Sequence, residues 1–274
     1  MPVSVHDLPH LVALLDDPSE VVQAGLVRAF ASFGLSLDTA LAPLPELNRQ
    51  SVHAFLSRHR NEWLTCVWPG CFTDAVAETQ LELAMSVLSG YLSGIPQGAR
   101  LAGQLDTLAQ SFQKSGMPQD PLSLSDFLFV EEGIQGARFE YENPQHFDLP
   151  GVIDRRLGIP VSLGCLYVLV GRRLGYSVGG TRWPGHFFAY AQVNDVTYMV
   201  DPYHHGFCTP ESSFLRMQGP SWEAARQILA RPASTGYLVR RVIHNLIQAF
   251  HHFQRWDDGQ RMICLLRETP KADN

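Results

Sequence analysis

Between Arg155 and Tyr203 the chain reads RRLGIPVSLGCLYVLVGRRLG, then WPGHFFAY, then YMVDPY. No other stretch restricts its possible folds as much. The first part is a helix marked at both ends. Pro160 closes the loop before it, and Ser162 reads as the N-cap, because its hydroxyl can accept a backbone N–H of the first turn. Arg172 and Arg173 suit the negative end of the helix dipole, and Gly175 is placed to end the helix. Leu163, Leu166, Tyr167, Val170 and Leu174 share one face, while Val168 and Leu169 lie on another. The spacing therefore predicts a helix buried nearly all round.

A hairpin should follow. Phe187–Val193 and Val196–Val200 are strand-like, with Asn194-Asp195 as the turn between them. A two-residue loop pairs residues whose numbers sum to a constant, so Phe188 faces Asp201 and His186 faces Tyr203. His186 and Asp201 are then diagonal neighbours on one face, about 7–8 Å apart at the backbone, within reach of an imidazole–carboxylate hydrogen bond. The other face, from Phe187 through Ala189 and Ala191 to Val200, is apolar enough for core. A third strand is expected within Gly179–Trp183. A helix start, a histidine on one strand and an aspartate on the next are the skeleton of a Cys–His–Asp acyl-transfer site.

The runs FLFVEEG (127–133), VIDRRLGIPVSL (152–163), LYVLVGRRLG (166–175), PGHFFAY (184–190) and DPYHHG (201–206) together resemble the transglutaminase-like core, and more closely its bacterial SirB branch. The resemblance spans roughly 122–206 and the C-terminal helices. It implies an α+β fold with a central buried helix against a small antiparallel sheet. It also implies a nucleophile position at Pro160 or, with a two-residue shift, at Ser162. Neither is cysteine, and the SirB branch usually carries Ser or Thr there. Members of the family carry an asparagine-rich loop ahead of the central helix, where this chain has Asn143 followed by Gln145-His146-Phe147.

Composition narrows the remaining classes. The chain has 274 residues, 45% hydrophobic and 18% charged, with a net charge of −6. That is a globular composition with no basic field for nucleic acid or an anionic membrane. The Arg-Arg pairs at 155–156, 172–173 and 240–241 read as helix-end and surface charges. No apolar run is long enough to span a bilayer, and MPVSVHDLPH lacks the regions of a signal peptide. Five scattered cysteines point to reduced thiols in a cytoplasm. Cys66 and Cys71 lack the second pair that a zinc site would need. His204-His205 and His251-His252 each point apart, so neither metal nor cofactor is expected.

Before the core the chain reads as helical, over 1–115. Leu8–Leu15 is a short helix. Asp17, Pro18 and Glu20 supply an N-cap, an N1 proline and a capping-box acid for the next, which Gly34 ends. This pair resembles one HEAT-type hairpin. Asp38 reads as the cap of a short turn, and Glu46–Arg60 as a helix. Trp63–Phe72 reads as an aromatic loop tucked into the core, with an exposed docking loop as the alternative. Helices are predicted over Thr73–Tyr91, with a break at Gly94-Ile95-Pro96, and over Leu101–Phe112. Lys114–Pro121 reads as a linker. A core over 122–215 opens with a helix, Leu122–Glu132, ending at Gly133. Residues 221–270 then resemble a TPR-type helical hairpin, which alone is a cap or docking face.

Three readings of the site stay open. In the first, Ser162 is only a cap and His186–Asp201 a retained structural dyad, so the protein is a scaffold or regulatory interaction protein without catalysis. In the second, His186 activates Ser162 while Asp201 fixes its tautomer. In the third, Cys165, one turn further and roughly 60° round the helix, is the nucleophile. The first is preferred, since a serine before a helix is usually a cap and no oxyanion hole is visible. A protein partner or peptide-like substrate is expected, and neither nucleic acid nor membrane.

Overall fold

A computed structural model describes residues 3–73 and 77–271. The chain divides into two compact units, 1–100 and 101–274. The division falls inside a helix, upstream of the Pro- and Gly-containing segment 114–121 that reads as a linker.

The described residues of the first unit form helices joined by short turns. They comprise α1 (Leu8–Ala13), α2 (Glu20–Ala31), α3 (Leu37–Leu41), α4 (Glu46–Arg58), α5 (Arg60–Val67), α6 (Ala77–Ser93) and the start of α7 (Ile95–Lys114). The cap of α2 differs from the sequence reading. Ser19 is the N-cap residue, and the Asp17 carboxylate accepts the Ser19 N–H at 2.8 Å. Asp17 thus shapes the turn before the helix. Asp38 lies inside the first turn of α3. Trp63–Phe72 is helical, α5 running into a 3-10 turn. Trp63 and Trp68 are both buried, so the aromatics are core, on helix rather than loop. Residues 74–76, within the start expected for the next helix, lie outside the described residues. The expected break near Gly94 is a single residue at φ +98°, and α7 runs on from Ile95 without a second interruption. Pro96 sits in its first turn, where a missing N–H costs nothing.

The second unit holds the sheet. Asp120 caps α8 (Pro121–Asp126) by accepting the N–H groups of Leu122 and Ser123. The helix then widens into a π-turn over Phe127–Glu131 and stops at Gly133, φ +68°. A short parallel bridge pairs β1 (Gln135–Gly136) with β2 (Leu157–Gly158), with α9 (Leu149–Arg155) between them. The central helix, α10 (Pro160–Arg173), has every residue from Pro160 to Gly171 buried, as its unbroken apolar surface requires. It ends in a Schellman motif. The Tyr176 N–H reaches the Gly171 carbonyl at 3.0 Å and the Gly175 N–H reaches Arg172 at 2.9 Å, with Gly175 at φ +77°.

The antiparallel sheet has the order β3 (Val178–Gly180), β4 (Ala189–Val193), β5 (Val196–Asp201), β6 (Phe207–Pro210). The hairpin register pairs Ala189 with Val200 and Val193 with Val196, the parity expected of the two-residue Asn194-Asp195 turn. The third strand expected within Gly179–Trp183 is β3, which begins one residue earlier, at Val178. The fourth strand, β6, had no counterpart in the sequence reading. Phe207-Cys208-Thr209-Pro210 is short and ends in proline, which suits only a sheet edge. Four helices follow: α11 (Glu211–Met217), α12 (Trp222–Leu229), α13 (Thr235–His252) and α14 (Trp256–Glu268). The last two form a hairpin, with Ser234 capping α13 through the Tyr237 N–H. Among the described residues, no helix is long and apolar enough to cross a membrane.

Candidate functional site

The site grows from the loop between β3 and β4. Gly185 takes φ +76°, a conformation that side chains disfavour. The His186 N–H closes onto the Pro184 carbonyl at 2.9 Å. This tight turn sends consecutive side chains opposite ways. Phe187 goes inward, fully buried, and lies on Gly164 of α10. A Cβ at Gly164 would come within 1.9 Å of the Phe187 ring. His186 goes outward, edge-on to Phe188 with ring centroids 4.7 Å apart.

His186 Nε2 lies 2.9 Å from Oδ1 of Asp201, the last residue of β5. The other carboxylate oxygen, Oδ2, lies 2.8 Å from His204 Nδ1. The backbone N–H groups of Tyr203 and His204 also approach Oδ1, at 3.2 and 3.3 Å. Burial pushes the Asp201 carboxyl up, but the bonds from His186 and His204 outweigh it and hold the group below its usual range. The Asp201 side chain is 14% exposed, that of His186 27% and that of His204 65%. One carboxylate is therefore shared by two imidazoles at the surface of the core.

Ser162 is not the N-cap. Ile159 occupies that position, Pro160 is the first helical residue and Ser162 the third. Its hydroxyl donates to the Ile159 carbonyl and accepts the Ile159 N–H, both at 3.0 Å. It is completely buried. The serine thus folds back on the cap residue in the manner of the N3 member of a capping box. Pro160, with no N–H to lose and φ already helical, is the residue that starts the helix. Cys165 is also fully buried, and burial pushes its thiol up to about 12, with Arg172 and Arg241 pulling the other way. Reactive thiols are shifted in the opposite direction.

A pocket of about 260 Å³ opens at the first turn of α10. Pro160 and Val161 line it, with Phe187, Gly185, Arg241 and Asn245. A shallower groove of about 560 Å³ shares Gly185, Arg241 and Asn245 and extends past Trp183, Tyr237 and His244. Both run along α13.

Two residues of this region escaped the sequence reading. Arg241 is not a surface charge. It donates to the Trp183 carbonyl at 2.7 Å and to the His186 carbonyl at 2.9 Å, and its guanidinium lies 5.3 Å from the Phe187 ring centroid. Arg240 likewise donates to the Leu266 and Thr269 carbonyls. No local signal marks Arg241: it lies about 100° round α13 from its neighbour Val242, off the stripe of buried residues that includes Leu238, Val242 and Leu246. His204 was set aside because adjacent histidines diverge. Yet His205 takes φ +56°, and the turn brings His204 back onto Asp201, three residues earlier. His186, Asp201 and His204 offer ligand atoms within 4.8 Å of one another. Cys66 is exposed and Cys71 buried.

Comparison with known proteins places these features. Residues 99–244, more than half of the chain, match the transglutaminase-like superfamily. A UPF0162 protein of Xylella fastidiosa is 31% identical over 191 residues, covering 62% of this chain and 68% of that protein. A UPF0162 protein of Pseudomonas aeruginosa is 33% identical over 129 residues, 44% of this chain and 47% of that one. F-box only protein 21 of Pongo abelii is 28% identical over 114 residues, 42% of this chain but only 18% of that protein. No solved structure matches the chain at a significant level.

Proposed function

We propose that this chain, which belongs to the transglutaminase-like superfamily, uses that fold as a binding scaffold of the SirB type and not as an acyl-transfer enzyme. One observation carries the reading. The Ser162 hydroxyl is buried and committed in both directions to Ile159, so attack on a substrate would first break the helix start. Pro160 and Val161, which present themselves to the pocket, have no nucleophilic atom. Cys165 is buried, with its thiol pushed up to about 12. What remains is a concave face along α13 where aromatic side chains alternate with amide and guanidinium groups, chemistry that suits an extended peptide. The α13–α14 hairpin, read as a TPR-type unit, supplies a second docking face.

The His186–Asp201 hydrogen bond favours a second reading, an amide or ester hydrolase using Ser162 or Cys165. The two separate on covalent labelling of the native protein with a fluorophosphonate and with iodoacetamide, read by peptide mass spectrometry. The scaffold reading expects exposed Cys66 to alkylate and neither Ser162 nor Cys165 to react. Modification of Ser162 or Cys165 that disappears in His186→Ala would establish the hydrolase.

A further inference from the structure

We propose that His186, Asp201 and His204 form a binding site for a single divalent transition-metal ion, with Zn²⁺ as the reference. The inference goes beyond the scaffold reading and survives its failure, because it needs neither Ser162 nor the pocket.

The donor set is two imidazoles and one carboxylate, a combination suited to zinc, iron, copper or nickel and poorly suited to magnesium or calcium. Bond lengths of about 2.0–2.2 Å to nitrogen and oxygen place neighbouring ligand atoms roughly 3–3.5 Å apart around a tetrahedral ion. The two imidazole–carboxylate separations, 2.9 and 2.8 Å, already lie close to that range. All three donor atoms fall within 4.8 Å, so bringing the two histidines together needs a movement of about 1–2 Å. His204 can supply it, being 65% exposed and on a turn rather than in a strand.

The other two ligands are held in place. His186 follows the turn fixed by Arg241 through the Trp183 and His186 carbonyls. Asp201 is oriented by the Tyr203 and His204 N–H groups, the outer-layer hydrogen bonding that sets a ligating carboxylate. Exposure on the His204 side leaves the remaining coordination positions to water or to a partner's side chain. An ion here would replace the two hydrogen bonds to Asp201 with metal–ligand bonds and would displace any proton shared along them.

The test is titration of the full chain with Co²⁺, followed by its visible absorption, and with Zn²⁺, followed by calorimetry, both in a Cys66→Ser background that removes the exposed thiol. Wild type should take up one equivalent of metal. His204→Ala should weaken binding at least tenfold, since even the loss of an outer-layer partner costs that much. His205→Ala, one residue away and outside the cluster, should bind as wild type. Zinc should raise the melting temperature of wild type and of His205→Ala but not of His204→Ala. No saturable binding by wild type, or equal binding by His204→Ala, would overturn the proposal and leave the three side chains as a hydrogen-bond network only.

Discussion

Arg241 donates to the main-chain carbonyl of His186 at 2.9 Å. This contact, with its twin to the Trp183 carbonyl, ties the middle of α13 to the turn that aims the imidazole. The geometry of the His186–Asp201 pair therefore depends on a residue 55 positions downstream. Replacing Arg241 by Met keeps the apolar stem and strands both carbonyls. Hydrogen bonds from a charged donor contribute about 1.5–3 kcal/mol each. Both bonds are only part-buried, so water can take over some of each carbonyl and the loss falls below the simple sum: Arg241→Met should lower the unfolding free energy by roughly 2–3 kcal/mol in urea titration, and Arg241→Lys should recover only part, lacking the planar fork. A loss under about 0.5 kcal/mol, the range of ordinary surface substitutions, would show that the turn stands without it.

Phe187 of the site loop packs on Gly164 of α10. An added Cβ would sit 1.9 Å from one ring carbon and 2.4 Å from the next, so the ring or the helix would have to move. Gly164→Ala should destabilise by about 1–3 kcal/mol through overpacking. Phe187→Leu alone should also destabilise, by leaving a cavity. Combined, the two should be less damaging than their sum, because the smaller side chain makes room for the new methyl. Strict additivity in the double-mutant cycle would mean that the two residues do not touch.

How much of this was legible beforehand follows from where each constraint resides. The His186–Asp201 pairing could be read because a two-residue hairpin fixes strand parity, a purely local rule. The burial of α10 could be read because its apolar residues occupy every face. Its start was misplaced because serine's preference for the N-cap competes with proline's preference for the first helical position, and here proline won: Pro160 begins the helix and Ser162 bonds backward. Arg241 was illegible as a site residue because its partners, Trp183 and His186, are set by tertiary packing. His204 was missed because a parity argument fails once the chain enters the left-handed region at His205. The edge strand Phe207–Pro210 has too little alternation to announce itself.

His146 gives the chain a pH-dependent stability term. Burial, with the positive charge of Arg155 nearby, holds its imidazole below the ordinary histidine range. The unfolded chain binds this proton at about pH 6.5 and the native protein only at lower pH. The stabilisation is thus complete above about 6.5 and is lost progressively as pH falls toward the lowered native value. Wild type should therefore lose stability relative to His146→Phe when unfolding is compared between about pH 7 and pH 5. A gap between the two proteins that does not change with pH would contradict the assignment.

Ser162 is bound to its own helix start and is not a free hydroxyl. The most direct measurement is hydrogen exchange at the Ile159 amide, which donates to Ser162 Oγ at 3.0 Å. The predicted result is a protected Ile159 amide in the native protein, with exchange accelerated at least about tenfold in Ser162→Ala, the equivalent of about 1.4 kcal/mol and within the range for stranding a buried donor. Exchange at Ile159 as fast as in an unstructured chain, and unchanged by Ser162→Ala, would leave the hydroxyl uncommitted and contradict the account.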